Sequence, residues 1–135
     1  MRHQTKKNTL GKAQDQRKAL LRSLATELLT HDEIKTTMAR AKALQPYAEN
    51  LITLAKKGDL NSRRLAGRYI YDKEIGKLID TATGELFDAP QEGKKLAKQT
   101  VLRRLFSIVG ARYSSRNGGY TRIFRLPPRR GDASE

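Results

Sequence analysis

Apolar residues recur at three- and four-residue spacing between positions 20 and 29, and that rhythm predicts a first helix. Leu20, Leu21, Leu24 and Leu28 share one face, Arg17, Lys18 and Arg22 flank it, and Asp15 is placed to cap its start. In the following HDEIKTT, Ile34 and Thr36 alternate with Lys35 and Thr37, a β-branched run that predicts a short strand. Thr36 or Thr37 then caps a second helix, whose apolar positions Met38, Ala41, Leu44, Ala48, Leu51 and Ala55 continue to Lys57 and stop at Gly58. Pro46 inside this pattern predicts a kink, or a second helix beginning near the proline. Asp59 or Asn61 opens a third helix in LNSRRLAGRYI, with Leu65, Ala66 and Tyr69 inward and Arg63, Arg64 and Arg68 outward.

The pattern weakens after YDKEIGKLID. The stretch TATGELFDAPQEGKK holds two glycines, a proline and the sustained acidity of the chain, so residues 81–93 read as an exposed loop or insertion. Helical period returns in LAKQTVLRRLFSIVGARY, where Val101, Leu102, Leu105, Phe106 and Val109 form an apolar stripe ended by Gly110. GGYTRIFRL reads as a last strand, with Tyr120, Arg122 and Phe124 on one face and Thr121, Ile123 and Arg125 on the other. Gly118 and Gly119 permit its sharp entry, and Pro127 and Pro128 end it. Residues 1–14, with Arg2, Lys6, Lys7 and Lys12 and no acid before Asp15, form a basic arm that orders on binding. Residues 15–126 form a single domain carrying an acidic loop around 76–100, and 127–135 form a basic tail.

Charge selects the partner. The 135 residues carry 28 Lys and Arg against 14 Asp and Glu, a net +14 that repels itself unless an anion surrounds it. A membrane is the poorer polyanion, because no apolar run approaches the roughly 18 to 20 residues of a span. Leu20 to Leu29 is interrupted by Arg22 and Glu27. The absence of cysteine removes disulfides, thiolate metal sites and thiol nucleophiles together.

Catalytic inventory is thin. The histidines are His3 and His31, and no His and carboxylate set has metal-ligand spacing; His31 beside Asp32 reads as a helix-end residue. GELFDAPQEGKK has a Gly-Lys pair without phosphate-loop spacing, and Ser114 and Ser115 have no histidine nearby to act as base. No enzyme, cofactor, metal or small-molecule substrate is expected. Nucleic-acid binding is supported instead, since basic residues at both ends and on two helices release counterions from phosphates without reading bases. From residue 101 onward every basic residue is arginine, whose planar fork grips phosphate and stacks on exposed bases, which favours a folded RNA over a smooth duplex. Tyr120 beside the paired glycines either stacks on a base or packs in the core. The alternative is a helix-turn-helix DNA-binding protein, with Gly58 as the turn and Arg63, Arg64 and Arg68 facing a major groove. Charge spread over both termini argues for a chain enveloped by nucleic acid.

The opening MRH, the segment DQRKALLRSLATELLTHDEIKTTMARAKALQPYAENLITLAKKGDLNSRRLA, the VLRRLF segment and the closing RYSSRNGGYTRIFRLPPRRGD together resemble the bacterial-type large-subunit ribosomal proteins of the L-seventeen family. The DQRKALLR, YIYDK and LPPRRGD variants are most similar to its cyanobacterial and plastid branch. The resemblance implies an α+β fold, four to five helices packed on a small mixed β-sheet with basic extended termini. It implies no catalysis and no cofactor. The implied partners are large-subunit ribosomal RNA and neighbouring ribosomal proteins near the exit tunnel, on ribosomes of a bacterial cytoplasm or a plastid stroma. Carried over by position, the RNA contacts are Arg2 and His3 with Lys6, Lys7 and Lys12 of the arm; Arg17, Lys18 and Arg22; Lys35, Arg40 and Lys42; Arg63 and Arg64; and Arg116, Tyr120, Arg122, Arg129 and Arg130. Two departures stand out. About 25 residues, from Gly76 to Thr100, are interposed where the family runs on directly, and the family's closing hydrophobic strand does not follow RRGD before Glu135. Either the sheet is a strand short, with the Ile34 and Ile123 strands exposing an edge, or the protein continues beyond this sequence.

Overall fold

The computed structural model describes residues 8–80, 82–83 and 85–134. The first helix, α1 (Gln14–His31), is entered from Ala13, which makes no side-chain cap, so Asp15 is not the cap. Its carboxylate instead sits in the first turn, against the positive end of the helix dipole. Ala25, Thr26 and Leu29 are the buried positions, while Leu21, Leu24 and Leu28 pack half-buried at their flanks. The helix stops where Asp32 turns left-handed at φ 65° and its N–H donates to the Leu28 carbonyl at 2.8 Å.

Thr37 precedes α2 (Met38–Lys57), which buries Ala43, Leu44, Ala48, Leu51, Ile52 and Ala55 and closes at left-handed Gly58. Pro46 does not split the helix. The proline is exposed, and its missing N–H leaves the Lys42 carbonyl without its intrahelical donor. Asp59 caps α3 (Leu60–Ala66), accepting from the Ser62 N–H at 3.0 Å, and the chain turns through completely buried Ile70. Tyr69, expected inward, is 44% exposed.

The sheet is not where the alternation predicted it. Neither the Ile34 nor the Ile123 segment forms a strand, and neither makes ladder bonds. Alternating β-branched composition alone is insufficient, because a strand exists only through a partner's amides. The strands are β1 (Glu74–Asp80), β2 (Leu86–Phe87) and β3 (Leu96–Thr100), in spatial order β2-β1-β3, antiparallel throughout rather than mixed. They occupy the segment read as an acidic loop. Ile79 faces Leu86 on one side and Ala97 on the other, and the register slips between Glu74 and Leu78, where Gly76 adopts φ 82°. That slip is a β-bulge, which a residue free to take positive φ accommodates.

Thr100 caps the C-terminal helical body, residues 101–112, made of α4 (Val101–Arg104), a π-helical turn (Leu105–Val109) and α5 (Gly110–Arg112). Val101, Leu105 and Val109 are its buried stripe. Gly110 does not end the helix. A Cβ there would stand 3.0 Å from the Ala55 carbonyl oxygen, so the glycine lets this body approach α2 closely. The core is therefore helical, with Leu29, Leu44, Leu51, Ile52, Ile70 and Leu105 at its centre; of β1, only Ile75 packs against it. The α+β class holds, with the sheet set beside the helices and joined to them by the Val101 N–H to Lys73 carbonyl bond at 3.1 Å.

Candidate nucleic-acid interface

The basic residues separate into those the fold employs and those it leaves free. Arg22 is the clearest of the first kind. Half-buried on α1, its guanidinium donates to the Ile70 carbonyl at 3.0 Å and the Gly67 carbonyl at 3.4 Å, and stands 4.4 Å from the centre of the Tyr71 ring. Beside it, burial pushes the Tyr47 hydroxyl up to about 12, with Arg22 acting against that rise and the Tyr69 and Tyr71 hydroxyls adding to it. Arg63 lies over Phe106 at 5.6 Å. Arg129 pairs with Asp132 and holds its carboxyl below the usual carboxylate range.

Tyr120 belongs to the packing. Its ring lies half-buried, 5.4 Å from that of Tyr113, and its hydroxyl accepts from Lys56 Nζ at 2.9 Å, which lowers its pKa. Lys56 also donates to the Arg116 carbonyl at 2.5 Å, and Thr121 Oγ1 donates to Glu49 at 2.9 Å. The segment read as a strand is thus tethered across α2 by side chains.

Lys18, Lys35, Lys42, Arg64, Arg116 and Arg130 are exposed with no acidic partner among the described residues, as is Arg122, which rests on Phe124 at 5.2 Å; Arg17, Arg40 and Lys12 are half-buried. Arg2, His3, Lys6 and Lys7 lie outside the described residues. The contacts carried over from the resemblance left out Arg68 and Arg125, which are equally exposed; the helical period had already placed Arg68 outward, and the arginine-rich C-terminal run was the signal for Arg125. The carried-over contacts also left out Arg104 and Arg112, which clamp the end of α1. Arg104 donates to the Leu29 carbonyl at 2.8 Å and to Asp32 at 2.7 Å, and Arg112 reaches Asp32 at 3.3 Å.

One assembly of distant residues results. A groove of about 600 Å³ runs between the Ile34 segment, α2 and the Ile123 segment, floored by Leu44, Ala48 and Ile52. Lys35, Arg112, Arg122 and Arg125 stand on its walls with Asp32 and Glu33, and Asp32 is already engaged by two arginines. The groove is positive at its rim and apolar at its base. By contrast α3, seven residues and about 10 Å long, is short for a groove-reading helix, and one of its arginines is folded onto Phe106. Among the described residues no helix is long and apolar enough to cross a membrane, and no group of three or more His, Asp or Glu side chains converges as a metal site.

Comparison with known proteins accords with this picture. Large ribosomal subunit protein bL17 of Staphylococcus carnosus is 46% identical over 126 residues, covering 93% of this chain and 90% of the relative. The protein of the same name from Streptococcus equi subsp. zooepidemicus is 45% identical over 125 residues, with the same two coverages. The profile described as ribosomal protein L17 matches residues 20–135, from the middle of α1 through the C-terminal segment, and the chain belongs to that family.

Proposed function

We propose that the chain is a structural constituent of the large ribosomal subunit, binding its ribosomal RNA near the outer end of the peptide exit tunnel and stabilising the assembled particle without catalysis. Membership of the L17 family carries the reading, and the unpaired cations on several surfaces give it a physical means. Lys18, Lys35, Lys42, Arg64, Arg116, Arg122 and Arg130, joined by Arg68 and Arg125, neutralise phosphates of more than one RNA segment, so the protein bridges them. Arg17, Arg40, Lys12, Arg63 and Arg129 contribute from more constrained positions, and Arg2, His3, Lys6 and Lys7 extend the contact through the basic arm. Arg22 and Tyr120 act by holding the surfaces that meet RNA. Neighbouring ribosomal proteins adjoin it near the tunnel. Its home is the ribosome of a bacterium or a plastid, and DQRKALLR, YIYDK and LPPRRGD favour the cyanobacterial and plastid branch.

Sedimentation of a lysate on sucrose gradients at high and low magnesium tests this. The protein is expected to travel with the large subunit through subunit dissociation. Recovery at the top of the gradient at both magnesium levels would overturn the assignment.

A further inference from the structure

The turn after α3 presents two tyrosines that the core does not use. Between them Ile70 is fully buried and pins the turn, while Tyr69 is 44% and Tyr71 42% exposed. The turn is held from two other helices. Tyr47 donates its hydroxyl proton to the Tyr69 carbonyl at 2.6 Å, the Tyr71 N–H donates to Thr26 Oγ1 at 3.0 Å, and Arg22 donates to the Ile70 carbonyl at 3.0 Å. The Arg22 guanidinium covers one face of the Tyr71 ring, so the exposure of that residue lies mainly on its other face and edge. Arg68 is exposed beside the turn, and Lys18 lies one turn before Arg22 on the same face of α1. The carboxylates attached to this corner are engaged: Asp72 accepts from the Leu102 N–H, and Glu27 pairs with Lys73 and His31.

A ring already fixed by the fold, backed by a cation and open on the opposite side meets the needs of base stacking with little further ordering. We infer that Tyr71, backed by Arg22 and flanked by Tyr69, is a stacking platform for one unpaired nucleobase of the ribosomal RNA, whose adjoining phosphates meet Arg68 and Lys18. The inference rests on the RNA-binding reading above and adds that this corner takes a splayed base where the other cationic surfaces take backbone. A protein partner suits the corner less, since its unpaired cations would have to be desolvated against it.

Binding of the full chain to transcribed large-subunit ribosomal RNA, as a salt series with ultraviolet crosslinking, tests the platform. Tyr71→Leu keeps apolar bulk but loses the π-face. It should weaken binding about tenfold while leaving the slope of log K against log salt unchanged, because no phosphate contact is removed. Tyr71→Phe should recover the affinity that Tyr71→Leu loses, and the wild-type crosslink should map to the peptide containing Tyr71. Equal melting temperatures for the two variants attribute the loss to stacking. Wild-type affinity in Tyr71→Leu would overturn the platform while leaving RNA binding intact, and if that variant also failed to enter particles the occupant would be a protein. A wild-type chain with no saturable binding to this RNA would overturn the RNA reading and the platform together.

Discussion

Arg22 carries two consequences at the scale of a single residue. It looked like one more phosphate ligand on the flank of a helix, yet its bonds to Gly67 and Ile70 join α1 to the turn after α3. Arg22→Ala should therefore destabilise the fold by about 1 to 3 kcal/mol, since two carbonyls lose their donor, and a denaturant titration reads that loss directly. Carboxylates set the acid limit. The Lys73 hydrogen bond holds Glu27 below its usual range, and hydrogen bonds from Ser62 do the same for Asp59. Their folded pKa values lie below the unfolded ones, so their contribution is complete above the unfolded value near ~4 and is lost as pH falls through the folded values. The melting temperature should hold from neutral pH to about pH 5 and fall below about pH 4; Asp59→Asn should shrink that fall.

At the scale of elements, close approach decides the packing of the C-terminal helical body. Gly110 sits against the Ala55 backbone, and the π-helical turn preceding it keeps Leu105 and Val109 on the buried side. Gly110→Ala should push the body away from α2 at a cost of about 1 to 3 kcal/mol, despite alanine's better helix propensity, measurable as a lower denaturant midpoint. The helices were legible because their apolar spacing coincides with a real core: Leu44, Ala48, Leu51 and Ala55 are all buried as the pattern required. The sheet was not legible. EIGKLID mixes charges and a glycine into its alternation and β2 is two residues long, whereas GGYTRIFRL has strong strand composition but no strand beside it. Pairing partners, not propensity, chose between them.

At the scale of the whole molecule, a net +14 is distributed rather than concentrated, with exposed cations on α1, α2, α3 and the C-terminal segment. Replacing Arg122 and Arg125 together with alanine should lower the magnitude of the salt slope of RNA binding by about 2 if both meet phosphate, with the melting temperature unchanged. Double-filter binding across a salt series measures it. The class of partner was legible, because charge is additive along a chain and needs no coordinates. Which cations are free was not, because that depends on where carbonyls and carboxylates end up. Arg104 and Arg112 are paired with Asp32, while Arg125 is exposed.

Sequence by itself determined the polyanionic partner, the positions of α1, α2 and α3 and the family, since each depends on composition, local spacing or a run of matching residues, and it narrowed the cap of the third helix to Asp59 or Asn61. Tertiary structure decided where the sheet forms, which arginines are spent on the fold, and that Tyr71 stands open over Arg22. Arg22 and the turn it holds lie more than forty positions apart, and contacts at that distance are set by the packing of the core rather than by any local preference of the chain.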